Sequence, residues 1–124
     1  MRALWCSKHK PLPAQLKVLS ERGVELVIPA KTFFRDAEEV VELAKSLNCQ
    51  IIIPVLPLSV IAKICEIAEK HDIIVLYPLM EDLDNNAILN FDTDVVLNVA
   101  SKTKIARFKC FKRVRGVKLI LEDW

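Results

Sequence analysis

The chain has 124 residues, 52% of them apolar and 6% aromatic, with two glycines, four cysteines and a formal net charge of +2. That length suits a single domain, and an aliphatic core of this size needs no disulfide or metal staple. No run approaches the ~18 apolar residues of a membrane span, the N-terminus lacks a signal-peptide layout and no Cys-x-x-Cys pair occurs, so a cytoplasmic protein with reduced thiols and no local zinc motif is expected.

Charge is unevenly spread. Residues 1–35 carry seven Lys/Arg against two Glu, residues 36–100 carry twelve acids against three Lys, and residues 101–124 carry eight Lys/Arg against two acids. Basic ends flank an acidic middle.

Arg2–Cys6 reads as a short apolar strand, followed at once by the polar loop Ser7–Lys10. Pro11 and Pro13 fit the first turn of a helix, where a missing N–H costs nothing. That helix runs to about Arg22, with Leu16, Val18 and Leu19 available to the core and Gly23 as its C′ residue. Val24–Ile28 is the second strand, ended by Pro29. Asp36 with Glu39 three residues later resembles a capping box, and Ala37, Val40, Val41, Ala44 and Leu47 form the apolar stripe of the second helix, which Asn48 ends. Cys49–Val55 is the third strand. Its apolar run Ile51–Leu58, continuing into Val60-Ile61, has no polar face, as suits a central parallel strand covered on both sides, with Pro54 and Pro57 stopping the ladder.

Ser59 is placed to cap the third helix, whose stripe is Ile61, Ile64, Cys65 and Ala68. Val60 and Ile67 widen that stripe, which points to a second contact surface such as a homodimer interface. The helix ends near His71-Asp72, and Ile73–Tyr77 is the fourth strand. An order βαβαβαβ implies parallel strands joined by right-handed crossovers. After Pro78 the pattern changes. Glu81–Asn86 reads as a loop or a frayed turn, Asp94–Ala100 as a fifth strand, and Lys104–Val114 with Val117–Asp123 as a β-hairpin turning at Arg115-Gly116. The expected fold is α/β in one domain: a Rossmann-like mostly parallel sheet over residues 1–80 with an antiparallel C-terminal β-hairpin. Cys6, Cys49 and Cys65 lie in apolar strands or on a helix stripe and are expected to be buried free thiols.

In open parallel sheets, ligands sit beyond the carboxyl ends of the strands, where strand order reverses. With a strand order 2-1-3-4 that point lies between the first and third strands. Ser7, Lys8, His9 and Lys10 would line it from one loop, and Pro57, Leu58 and Ser59 from the other, with Lys31, Thr32 and Arg35 at the same end. Basic side chains, a hydroxyl and helix N-termini together suit an anion. His9 is the residue there suited to proton transfer, and Lys8 and Lys10 could stabilise phosphate charge in a catalytic variant of the site.

Other chemistry is poorly represented. Glycine occurs only at positions 23 and 116, so neither a Gly-x-Gly-x-x-Gly fingerprint nor a Walker loop exists, and no cofactor is expected. No Gly-x-Ser-x-Gly elbow is present. Glu81, Asp82 and Asp84 are acids of the kind that hold Mg²⁺, but such loop acids are usually solvated, and no metal is expected. The strongest charge signal is the basic C-terminal stretch: Lys102, Lys104, Arg107, Lys109, Lys112, Arg113, Arg115 and Lys118 span seventeen positions without an acid, interleaved by Phe108 and Phe111. A basic strand pair with aromatics can hold nucleic-acid backbone and stack bases. The same lysines would also protect a sheet edge from aggregation.

The layout of a small Rossmann-like sheet with basic polar loops and no glycine fingerprint resembles the sensor and ring-nuclease folds of CRISPR systems, which bind cyclic oligonucleotides. The resemblance covers about residues 1–80 and lies in layout rather than in a motif. Three functions follow as expectations: a protein binding a phosphate-bearing ligand, either a nucleotide at the crevice or nucleic acid at the hairpin; a phosphodiesterase or ring-nuclease-type enzyme using Lys8, His9 or Lys10; and a non-catalytic structural or regulatory subunit forming a homodimer through the third helix or the hairpin. No membrane partner is expected.

Overall fold

A computed structural model describes residues 1–84 and 86–124. The elements in chain order are β1 (Arg2–Cys6), α1 (Pro13–Glu21), β2 (Glu25–Val27), α2 (Ala37–Ser46), β3 (Ile51–Pro54), α3 (Leu58–Glu69), β4 (Ile74–Leu83), β5 (Asp94–Val99) and β6 (Lys102–Arg113). They build one six-stranded sheet in the order β2-β1-β3-β4-β6-β5. The first four strands pair in parallel, and β6 runs antiparallel to both β4 and β5. The sheet is therefore mixed. No helix among the described residues is long and apolar enough to cross a membrane.

Strand alternation divides the core in two. Leu4, Cys6, Ile52 and Val75 point to one face, where α2 and α3 cover them with Val40, Val41, Ala44, Ile61, Ile64 and Ala68. Ala3, Trp5, Ile51 and Ile53 point to the other, where α1 supplies Leu19. The central strand is buried throughout, as its unbroken apolar run requires. Val60 and Ile67, which widen the stripe of α3, are half-buried against the first cluster along with Val114 and Val117, so their breadth is used within the chain.

Local chemistry fixes the helix ends. The Gln15 side-chain oxygen accepts from the Leu12 N–H at 2.8 Å at the start of α1. At α2, Asp36 Oδ1 accepts from the Glu39 N–H at 2.8 Å, while the Glu39 carboxylate reaches back to the Arg35 N–H at 2.6 Å, one residue earlier than a capping box would place it. α3 begins at Leu58, directly after Pro57, so Ser59 lies inside the first turn and is not its cap. Gly23 (φ 70°), Asn48 (φ 56°) and Asp72 (φ 55°) take left-handed conformations just beyond the three helices, the position where helices commonly close this way.

Two further expectations are corrected. The stretch from Glu81 is not a loop: β4 continues to Leu83, held by antiparallel pairing from Leu76–Arg113 to Leu83–Ile105. Asn85, within the same expected loop, lies outside the described residues. The C-terminal hairpin exists but is displaced. Its strands are β5 and β6, and its turn is Ala100-Ser101, both at positive φ (49° and 65°), as a two-residue primed turn requires. Residues 114–124 form neither strand nor helix, and Arg115-Gly116 is no hairpin turn. The sheet fills its antiparallel edge with the fifth strand, which leaves Val117–Asp123 no partner in the ladder.

Candidate ligand-binding crevice

Two prolines part the sheet at its centre. The Val55 N–H donates to Cys6 O at 2.9 Å, so by alternation Pro54 turns its missing N–H toward β4. The Val114 N–H donates to Val75 O at 2.8 Å, so the peptide nitrogens of Leu76 and Pro78 face β3. Neither proline can donate across the gap, and the β3–β4 register ends at Ile52–Val75. Beyond that point β3 continues to Pro54 paired with β1, while β4 continues paired with β6, with a register shift between Leu79 and Met80.

The parting opens a cavity of about 270 Å³. Trp5, Leu12, Val55, Pro78, Met80, Val95, Leu97 and Ala106 give it apolar walls, and Ser7, His9, Lys10, Gln15, Tyr77 and Asp82 supply polar groups. The loop after β1 is held in shape from within: Trp5 Nε1–H donates to His9 O at 2.8 Å and the His9 N–H to Ser7 Oγ at 3.1 Å. Gln15 is buried with its oxygen engaged by Leu12, and neither its amide nitrogen nor the Tyr77 hydroxyl hydrogen-bonds another described residue. The negative charge of Asp82 is balanced by Lys104 Nζ at 2.9 Å.

The expected site residues divide between places. Ser7, His9 and Lys10 line the cavity, while Lys8 is exposed beside it. Pro57, Leu58 and Ser59 do not line it, so the crevice lies toward β4 and the hairpin rather than centred between β1 and β3. Thr32 is exposed and outside it. Lys31 and Arg35 belong to a shallow cleft with Asp36, Glu38, Glu39 and Glu42, where Lys31 pairs with Glu39 and Arg35 Nε lies 3.3 Å from Asp36. Acids outnumber bases in that cleft, so it offers an anion little. Nor is the N-terminus of α1 an open donor set: Pro13 has no N–H and the Ala14 N–H donates to Asp92 O at 2.9 Å.

The basic hairpin is partly neutralised by the acidic middle of the chain. Lys104 pairs with Asp82, Lys109 with Glu81 at 2.7 Å, and Arg107 grips Asp94 through Nε at 2.7 Å and Nη2 at 2.9 Å. Lys112, Arg113 and Arg115 are exposed and pair with no acid among the described residues. Phe108 is buried, and Phe111 is half-buried in the second core cluster with its ring centroid 5.1 Å from that of Phe108. The rings pack against each other and the core.

Trp5, Gln15, Tyr77, Met80, Val95 and Leu97 were not anticipated in the crevice. Each reads in sequence as an ordinary strand or helix residue, and the antiparallel return of β6 brings β5 to the cavity that Trp5 lines. The chain matches no protein-family model, no curated protein sequence and no solved structure.

Proposed function

We propose that the protein binds a phosphate-bearing ligand of nucleotide size in the crevice beyond the ends of β1 and β3, alongside β4, with the place that Rossmann-like sheets use for ligands as the guiding analogy. One observation carries this reading: an apolar cavity with two aromatic side chains in its wall opens beside a loop carrying Ser7, His9 and Lys10. A planar base suits Trp5, Tyr77 and Met80, and a phosphate suits the cationic, hydroxyl-bearing rim. The volume is slightly below the ~300–1,000 Å³ of drug-sized sites. It therefore suits one base with its sugar and leaves further phosphates or nucleotides outside. The crevice is favoured over the hairpin because three hairpin cations already face acids and Phe108 is buried.

Trp5 provides the reporter, since Trp124 is the only other tryptophan and can be replaced. In a Trp124→Phe background, fluorescence is titrated with mononucleotides, cyclic oligonucleotides and inorganic phosphate. A saturable change with a base-bearing phosphate, weakened about tenfold or more by Lys10→Ala, is the expected result. Absence of binding across the panel at low salt overturns the reading. Product formation from a cyclic oligonucleotide, lost in His9→Ala, would mark the site as catalytic rather than binding alone.

A further inference from the structure

The faces of the sheet are unequally covered. α2 and α3 close one, whereas α1 alone, nine residues long, lies on the other. Beside α1, toward β4 and β6, this leaves a groove of about 450 Å³ floored by Leu19, Ile51, Ile74, Leu76 and Phe111. Arg22 and Arg113 stand along it, and among the described residues no acid lines it and neither arginine has an ion-pair partner.

The C-terminal arm has the complementary character. Leu119, Ile120, Leu121 and Trp124 are 73%, 89%, 85% and 119% exposed, and Glu122 and Asp123 lie among them. Four large apolar side chains within six residues are left in water, a pattern that marks a contact surface. The arm's root sits on the opposite face from the groove: Val114 and Val117 pack with the α2–α3 cluster, and Cys65 Sγ–H donates to Val114 O at 3.7 Å.

We propose that the Leu119–Trp124 arm of one copy docks in the groove beside α1 of a second copy, reciprocally, giving a twofold dimer. Leu119, Ile120 and Leu121 fill the apolar floor, and Glu122 and Asp123 meet Arg22 and Arg113. A closed exchange of this kind covers two arms and two grooves at once.

Sedimentation and a cross-link test it. The full chain sediments as a dimer. A chain ending at Lys118 sediments as a monomer that still unfolds cooperatively, and the full chain melts higher than it by an increment that grows with protein concentration, because docking stabilises only the folded state. Arg22→Glu with Arg113→Glu weakens the dimer about tenfold or more, and adding Glu122→Lys with Asp123→Lys restores it. Cys110 lines the groove, so Leu121→Cys under mild oxidation gives a dimer-sized band on a non-reducing denaturing gel, absent in a Cys110→Ser background. A monomeric full chain, a truncated chain that still dimerises, or a cross-link closing within one copy each overturns the proposal.

Discussion

Asp94 is a carboxylate with no exposed side-chain surface, and four donors hold it there. Arg107 reaches both oxygens, Thr93 Oγ1–H donates to Oδ1 at 2.8 Å and the Asn90 N–H to Oδ2 at 2.8 Å. The Arg107 hydrogen bonds lead in holding its carboxyl well below the usual range, against the opposing effect of burial. A depressed folded-state value stabilises the fold above the unfolded value of ~3.9, and that stabilisation is lost as pH falls below it. Melting temperature measured from neutral to acid pH should therefore fall on acidification in the wild type. Asp94→Asn should start lower at neutral pH and fall less, because its amide does not titrate. Burial, with Cys49 adding to it, pushes the Cys6 thiol up to about 12; burial also raises Cys49 and Cys65. In the chain ending at Lys118, whose groove is open, a native thiol titration should show one fast-reacting group, the half-buried Cys110, and three more only after denaturation, and in the full chain docking should slow Cys110. Ile52 is fully buried in the central strand, so Ile52→Ala should cost ~2–5 kcal/mol in a denaturant titration. Ile52, Cys6 and Cys65 were legible as buried because each lies in an apolar strand or on an apolar helix stripe. Tyr77 and Leu97 were not legible as neighbours, because they share a cavity only through a strand pairing that closes later in the chain.

The displaced hairpin shows how an element can be recognised and still be put in the wrong place. Primed turns favour Asn-Gly or similar pairs, and the only glycine in the C-terminal stretch is Gly116. The turn instead uses Ala100-Ser101, neither of which signals it, and both adopt positive φ against their own preference. Ala100→Asn with Ser101→Gly should relieve this and stabilise the protein by about 1 kcal/mol, read as a higher melting temperature. The end of β4 was hidden for a related reason. Pro78 and the acids Glu81 and Asp82 look like a loop in isolation, yet the acids lie in a ladder opposite a basic strand, with Lys109 and Lys104 as their partners. The same basic stretch that suggested nucleic acid thus partly explains the acidic stretch before it. Two helix starts were more legible, since Asp36 caps α2 from within one turn of itself and a proline opens α1, whereas Ser59 does not cap α3.

Across the whole molecule, the parallel half follows from its sequence more directly than the antiparallel half does. β1 to β4 are joined by helices with clear apolar stripes, and the 2-1-3-4 arrangement on which the crevice position was conditional is present within the larger sheet. The crevice position was only partly legible: its Ser7–Lys10 side follows from the end of β1, whereas its opposite wall depends on two prolines facing one another across a gap. β4 has a further consequence for how the chain is made. It is the one strand that joins both halves, with β3 on one side and β6 on the other, and the ribosome completes it well before β6 appears. Until then a nascent chain that has already assembled β1 to β4 carries a bare strand edge rich in Ile, Val and Leu, open to pairing with neighbouring nascent chains on the same message. Chains stopped at Asp84 should accordingly sediment as aggregates, while the complete chain does not.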